Sequence, residues 1–256
     1  MAKPTELHFG AAVSEGQCPG CGRLVAMVRI GNLDFHDCGE CAAVAERAAR
    51  KSALQRRFLE CEAQGLIGAA HGQFTFKNWR PACDAHRPAW EAAWLLRKNM
   101  YLWGERGRGK TLLARCALVR GLKDGLVGEI TGPMLGDARH KALGTFRVWC
   151  ALPTLLLDDV SMMPNRGAVG EAAVRQLWEL LNARVGLRTI VTAQMAPNSL
   201  APFLTEAIPG NPGGAVAALA RLHPFDVFEL AGKDLRKPAE CGIGKAESGI
   251  KGMAHE

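Results

Sequence analysis

Residues 101–119 read YLWGERGRGKTLLARCALV, and this stretch restricts the possible folds more than any other. An apolar, aromatic run stops at a glycine, passes through glycines and arginines, reaches Lys110-Thr111, and resumes with helical character. Gly104, Glu105, Arg106, Gly107, Arg108, Gly109, Lys110 and Thr111 satisfy G-x-x-x-x-G-K-[S/T] at every position. Glycines at those places let consecutive backbone N–H groups point at phosphate oxygens, and the following helix adds its positive N-terminal end. Lys110 is expected to reach the β- and γ-phosphates of ATP, Thr111 to ligate Mg²⁺, and Leu112 to continue the binding stretch.

Such a loop needs a parallel sheet around it, and the downstream sequence alternates between strand and helix patterns as that requires. Strands are predicted at 100–103, 127–131, 154–159, 188–193 and 226–230, giving an α/β core. One helix should run from Lys110 to before Gly125. Another should run from Gly170 to Val185, with Val174, Leu177, Trp178, Leu181 and Val185 as a buried stripe. IPGNPGG at 208–214 reads as a loop, and the tail after Lys237 has no apolar periodicity and reads as disordered.

The strand TLLLDD ends in two acids. Asp158 suits the Mg²⁺ shell, and Asp159 is placed to orient or deprotonate an attacking water. The next strand ends in Gln194, which could hold that water or sense the γ-phosphate, or could simply solvate a strand end. Arg221 closes an alanine-rich run before the last strand. It reads as a surface arginine unless a neighbouring subunit's nucleotide faces it.

The N-terminal part has a different logic. Cys18-Pro-Gly-Cys21 and Cys38-Gly-Glu-Cys41 form C-x₂-C-x₁₆-C-x₂-C, two knuckles whose thiolates can close a tetrahedral Zn²⁺ site. So short a segment cannot bury a core of its own, and zinc should supply folding energy on the order of 10 kcal/mol. His36 could compete as a ligand, but four sulfurs already satisfy the metal. Residues 42–66 then read as a helix carrying Arg47, Arg50, Lys51, Arg56 and Arg57, either a phosphate-contacting face or a solvated one.

The domain reading is a zinc ribbon at 1–41, a basic helical linker at 42–73, a nucleotide-binding core at 74–237 and a tail at 238–256. Nine cysteines without an export signal favour zinc and free thiols in a reducing cytoplasm. No apolar run is long enough to span a membrane. A formal charge of +7 favours an anionic partner, nucleic acid first.

Taken in order, the zinc ribbon, basic helix, TFKNW (75–79), phosphate loop, LLLDDV, LLNAR, TIVTAQM and ARL resemble the AAA+ replicative helicase loaders of the DnaC/DnaI type. The likeness runs from Cys18 to about Lys237. It implies an AAA+ P-loop core with a five-stranded parallel sheet and an ATP-driven switch that self-associates through the ATP site. It also implies a partner, a hexameric replicative helicase placed on single-stranded DNA, gripped by the zinc module and following helix. By residue, Gly104 to Thr111 match the Walker A motif and Asp158-Asp159 the Walker B motif. Gln194 matches the sensor and Arg221 the arginine finger. The chain departs from the pattern with Asp159 where most loaders carry Glu, which predicts slow, partner-stimulated hydrolysis, and with Gln194 for Asn. It also lacks length for a helical lid. IstB-like transposition helpers share the core and are the alternative, but they usually lack a zinc ribbon.

Overall fold

A computed structural model describes residues 12–30, 33–36, 38–77, 79, 81, 83–137, 139–140, 144–207, 220–221 and 225–232. The expected loop at 208–214, most of the alanine-rich run before the last strand, and the tail lie outside these residues. The chain divides into two compact units at Leu59–Glu60. Among the described residues no helix is long and apolar enough to cross a membrane.

The first unit contains three short strands where the sequence suggested one. β1 (Ala12–Gln17), β2 (Leu24–Ile30) and β3 (Leu33–His36) form an antiparallel sheet in that order. Gln17 pairs with Leu24, so the first cysteine knuckle sits in the turn between β1 and β2. Helix α1 (Gly39–Ala63) begins three residues ahead of the expected start, because the second knuckle itself forms its first turn, with Ala42 N donating to Cys38 O at 2.9 Å. Arg47, Arg50, Lys51 and Arg56 on it are exposed and Arg57 is half-buried. Arg50 pairs with Glu46 one turn earlier.

The second unit is a five-stranded parallel sheet in the order β5-β6-β7-β4-β8. Its strands are β4 (Met100–Trp103), β5 (Val127–Thr131), β6 (Thr154–Asp158), β7 (Arg188–Ala193) and β8 (Asp226–Glu229). The helices are α2 (Arg87–Leu95), α3 (Lys110–Gly121), α4 (Thr145–Ala151), α5 (Gly167–Ala183) and α6 (Pro197–Ala207). All of β6 is buried, and β7 is buried from Thr189 on, as strands covered on both faces should be. β8, on an edge, leaves Val227 exposed. From β4 the chain crosses to β5 at the far edge, and from β7 it returns past β4 to β8. In open α/β sheets such a reversal opens a crevice at the carboxyl ends of the strands, where ligands bind. Helix α3 approaches the sheet closely because it ends in Gly121, where a Cβ would lie 2.9 Å from Thr154 Oγ1.

Two sequence expectations change. In α5 the buried face is Ala173, Val174, Leu177, Leu180 and Leu181. Trp178 lies at its rim, 36% exposed, and Val185, 68% exposed, follows the helix rather than extending its stripe. The residue that does extend that face is Arg184, 2% exposed. Its Nη1 donates to Trp149 O at 2.7 Å and Leu152 O at 2.8 Å, its Nε to Thr189 Oγ1 at 3.0 Å, and its Nη2 to Arg188 O. It therefore satisfies carbonyls at the end of α4, which would otherwise be orphaned. Burial pulls its pKa down to about 10.

Replacing Arg184 with methionine keeps bulk but leaves these acceptors without donors. The full chain should lose roughly 3 kcal/mol or more, seen as a lower urea midpoint with an unchanged slope.

Candidate nucleotide and metal sites

The phosphate loop joins the end of β4 to the start of α3. Gly104 has φ +143°, and a Cβ there would lie 2.6 Å from Leu230 O. The chain can begin its turn beside the end of β8 only with glycine at that position. Gly107 and Gly109 are also at positive φ. Lys110 is buried, and its Nζ donates to Gly104 O and Glu105 O, both at 2.7 Å. Arg108 pairs with Glu105 inside the loop. Gly107 to Leu112, with Arg106, line a cavity of about 630 Å³ closed by Phe74, Arg115, Asp159, Thr192 and Gln194.

The two acids do not continue one strand, as the expected span 154–159 implied. β6 stops at Asp158, and Asp159 turns into the left-handed region at φ 51°, ψ 59°. There Asp159 N leaves the sheet ladder and donates to Thr192 Oγ1 on the neighbouring strand at 2.8 Å. The carboxylates are thereby separated. Asp158 Oδ1 accepts from Thr111 Oγ1 at 2.8 Å and Thr192 Oγ1 at 2.7 Å. Burial raises the Asp158 pKa, and these two hydroxyls offset part of that. Asp159 Oδ1 accepts from Ser161 Oγ at 2.6 Å, and Asp159 Oδ2 from Gln194 Nε2 at 3.1 Å.

The structure thus brings together the loop, Lys110, Thr111, Asp158, Asp159 and Gln194. It does not bring in Arg221, which is exposed on a helical pair of residues and has no hydrogen bond or ion pair to the loop among the described residues. Thr192 and Ser161, which sequence reasoning missed, hold the two acids. Their signal was proximity, Thr192 two residues before Gln194 and Ser161 two after Asp159.

A second missed group flanks Asp158. Glu129, in the edge strand β5, receives Arg115 Nη2 at 2.6 Å and Nε at 3.1 Å, and pairs with His71 Nε2. Arg115 also lies 3.9 Å from Asp158 and 5.3 Å from the Phe74 ring centre. His71 Nδ1 accepts the Gly68 N–H at 3.1 Å, and Glu129 N donates to Leu66 O at 2.9 Å. Burial alone would push the Glu129 carboxyl up, but the hydrogen bonds from His71 and Arg115 hold it below its ordinary value. An acid inside the apolar strand VGEIT was the sequence signal.

In the first unit the four cysteines converge, their sulfurs all within 4.8 Å of one another. Cys18 and Cys41 are 3.6 Å apart, Cys21 and Cys38 3.5 Å, close to the ~3.8 Å edge of a tetrahedral ZnS₄ centre. The thiol pKa values diverge. The Gly20 N–H draws Cys18 down to about 6, whereas hydrogen bonding with the other three sulfurs pushes Cys41 up to about 12. Four thiolates cannot coexist there without a cation, so the donor set fits Zn²⁺. No cysteine of this cluster is paired as a disulfide.

Two outcomes follow. Native mass spectrometry should find one Zn²⁺ per chain, lost on Cys41→Ser, with loss of strand signal on chelation. Separately, a depressed Glu129 pKa contributes stability above its ordinary value and loses it as pH falls through the folded one. Glu129→Gln should therefore lower the neutral-pH urea midpoint and flatten its decline as pH falls below the ordinary glutamate range.

Solved structures share the fold of this chain over about two thirds of its length. The crystal structure of the DnaI matches with a TM-score of 0.54 at 20% identity, covering 66% of this chain and 94% of that one. The DnaC helicase loader matches at 0.50 and 14% identity, covering 64% and 100%. AMPPCP-bound DnaA from Aquifex aeolicus matches at 0.50 and 18%, covering 64% and 52%. The chain therefore spans about half the length of that initiator, as it does of a DNA replication initiation factor, at 49%. No protein-family model matches the chain, and no curated protein matches it. At these identities the likeness is one of architecture: the second unit has the α/β AAA+ fold of those helicase-loader and initiator structures.

Proposed function

We propose that the chain is an ATP-dependent helicase loader acting in DNA replication. The observation that carries the nucleotide part is Thr111 and Asp158 sharing one hydrogen bond at the mouth of a loop whose lysine is already seated. Two oxygen ligands for Mg²⁺ are thus preassembled beside the place for the β- and γ-phosphates. In this reading Lys110 and the loop N–H groups bind the phosphates, Leu112 lies beside the nucleotide, and Thr111 and Asp158 hold the metal. Asp159 activates water, with Gln194 as sensor. Mg²⁺ when bound would neutralise phosphate charge.

The loader part is supported by the fold shared with DnaI and the DnaC helicase loader, whose solved structures are covered at 94% and 100%, and by a separate first unit carrying the cysteine cluster. That unit, holding Zn²⁺, and the basic α1 would grip a hexameric replicative helicase. The net positive charge suits delivery to single-stranded DNA. An exposed Arg221 is free to reach a neighbouring subunit's ATP in a self-oligomer, in a cytoplasm that keeps nine cysteines reduced. ATP binding assembles the complex and slow hydrolysis releases it.

Mass photometry of the protein mixed with its host's replicative helicase tests this. An ATP-dependent species several loaders heavier than the helicase hexamer is expected, lost on deleting residues 1–66 and on Lys110→Ala. Filaments on duplex DNA without any helicase complex would instead identify a transposition helper.

A further inference from the structure

Arg106, the third residue of the phosphate loop, is exposed at the edge of the cavity it helps line. Its Nε donates to Gln194 Oε1 at 3.1 Å, and Nη2 reaches Met162 Sδ at 3.6 Å. Gln194 Nε2 donates onward to Asp159 Oδ2 at 3.1 Å. A guanidinium can only donate and a carboxylate can only accept. The amide between them must therefore turn its oxygen to Arg106 and its nitrogen to Asp159.

A second path joins the same residues but carries different information. Gln194 N donates to Ser161 Oγ at 3.0 Å, and Ser161 Oγ to Asp159 Oδ1 at 2.6 Å. This path locates the strand end and one carboxylate oxygen, yet it is indifferent to which way the Gln194 amide faces. The two ends of that amide are distinguished by the Asp159 carboxylate on one side and by Arg106 on the other, and of these Arg106 belongs to the phosphate loop. Met162 in turn limits where the guanidinium can go. The loop thereby reaches across the cavity to the second acid through one glutamine.

We propose that Arg106 is a positioning residue that acts through Gln194, fixing the amide so that its N–H group holds the Asp159 carboxylate in line with the end of the phosphate loop. The proposal rests on the reading of this cavity as an ATP-hydrolysing site. Because Arg106 acts on the acid by way of the glutamine, its removal slows turnover of nucleotide that is already bound. Because Arg106 and Gln194 form one chain of contacts, losing both costs little more than losing either.

The full-length protein, Arg106→Ala, Arg106→Lys, Gln194→Ala and the double alanine variant are compared by fluorescent ATP-analogue binding and by single-turnover phosphate release. Arg106→Ala should slow release roughly 10- to 100-fold at saturating nucleotide, a loss in rate that a change in Kd does not account for. The double variant should be no slower than Gln194→Ala alone. Arg106→Lys, which still donates to Oε1, should recover most of the rate. Multiplying effects in the double variant, weakened binding with an unchanged rate, or a parent protein that binds ATP without turning it over would each overturn the proposal. Lys110→Ala separates this from the underlying reading. If it binds the analogue as tightly as the parent, the ATP site itself falls, whereas failure of the Arg106 proposal alone leaves the Lys110 dependence intact.

Discussion

The second unit is organised around one carboxylate oxygen. Asp158 Oδ1 accepts hydrogen bonds from a hydroxyl on α3 and a hydroxyl on β7, and so ties the helix after the phosphate loop to two adjacent strands of the sheet. A buried acid with a raised pKa is an unfavourable centre for an apolar sheet, and the two threonines make it tolerable. Thr192 contributes twice, because its oxygen also receives the Asp159 N–H. That second bond joins the Met162 N–H on Asp159 O in holding Asp159 out of the ladder, so that Asp159 lines the cavity while Asp158 stays at the strand end bonded to the two hydroxyls.

Charge near the edge strand is arranged by the same economy. Glu129 is enclosed by a bidentate arginine, a histidine and its own backbone bond to Leu66. The consequence is structural as much as electrostatic: the segment 66–74 is pinned beside β5 at Leu66 and His71, and the Glu129 N–H of that edge strand is thereby already paired. Arg115, one helical turn beyond Thr111, belongs both to this arrangement and to the wall of the nucleotide cavity. The outer edge of the sheet and the site are thus parts of one connected set of contacts.

Much of this was legible in the sequence, for an identifiable reason. The phosphate loop, the paired acids and the four cysteines are residue types at short fixed spacings, and backbone geometry converts those spacings directly into position. The five strands of the second unit were legible from their apolar runs, whereas β1 and β3, which lack such runs, were not. What escaped was set by contacts between distant residues. His71 and Glu129 are 58 positions apart, and no local pattern marks them as partners. Arg184 read as one end of LLNAR, because an arginine surrounded by carbonyl oxygens cannot be told from a solvated one without the helix it caps. Trp178 was misplaced because a helical stripe of fixed width does not say which of two neighbouring positions sits at its centre.

The left-handed backbone at Asp159 has a bearing on how this site can change over time. Aspartate, asparagine and glycine enter that region at modest cost, while longer side chains are rare there. Substitution at this position is therefore channelled. Asparagine would preserve the turn and remove the charge, and glycine would preserve the turn and remove the group altogether. Glutamate, which would extend the reach of the acid, would hold that conformation at a cost of roughly 1–2 kcal/mol, as Leu96 does elsewhere in this unit. In a lineage built on this turn, a dihedral angle therefore weighs on the length of the acid alongside any chemistry the acid performs.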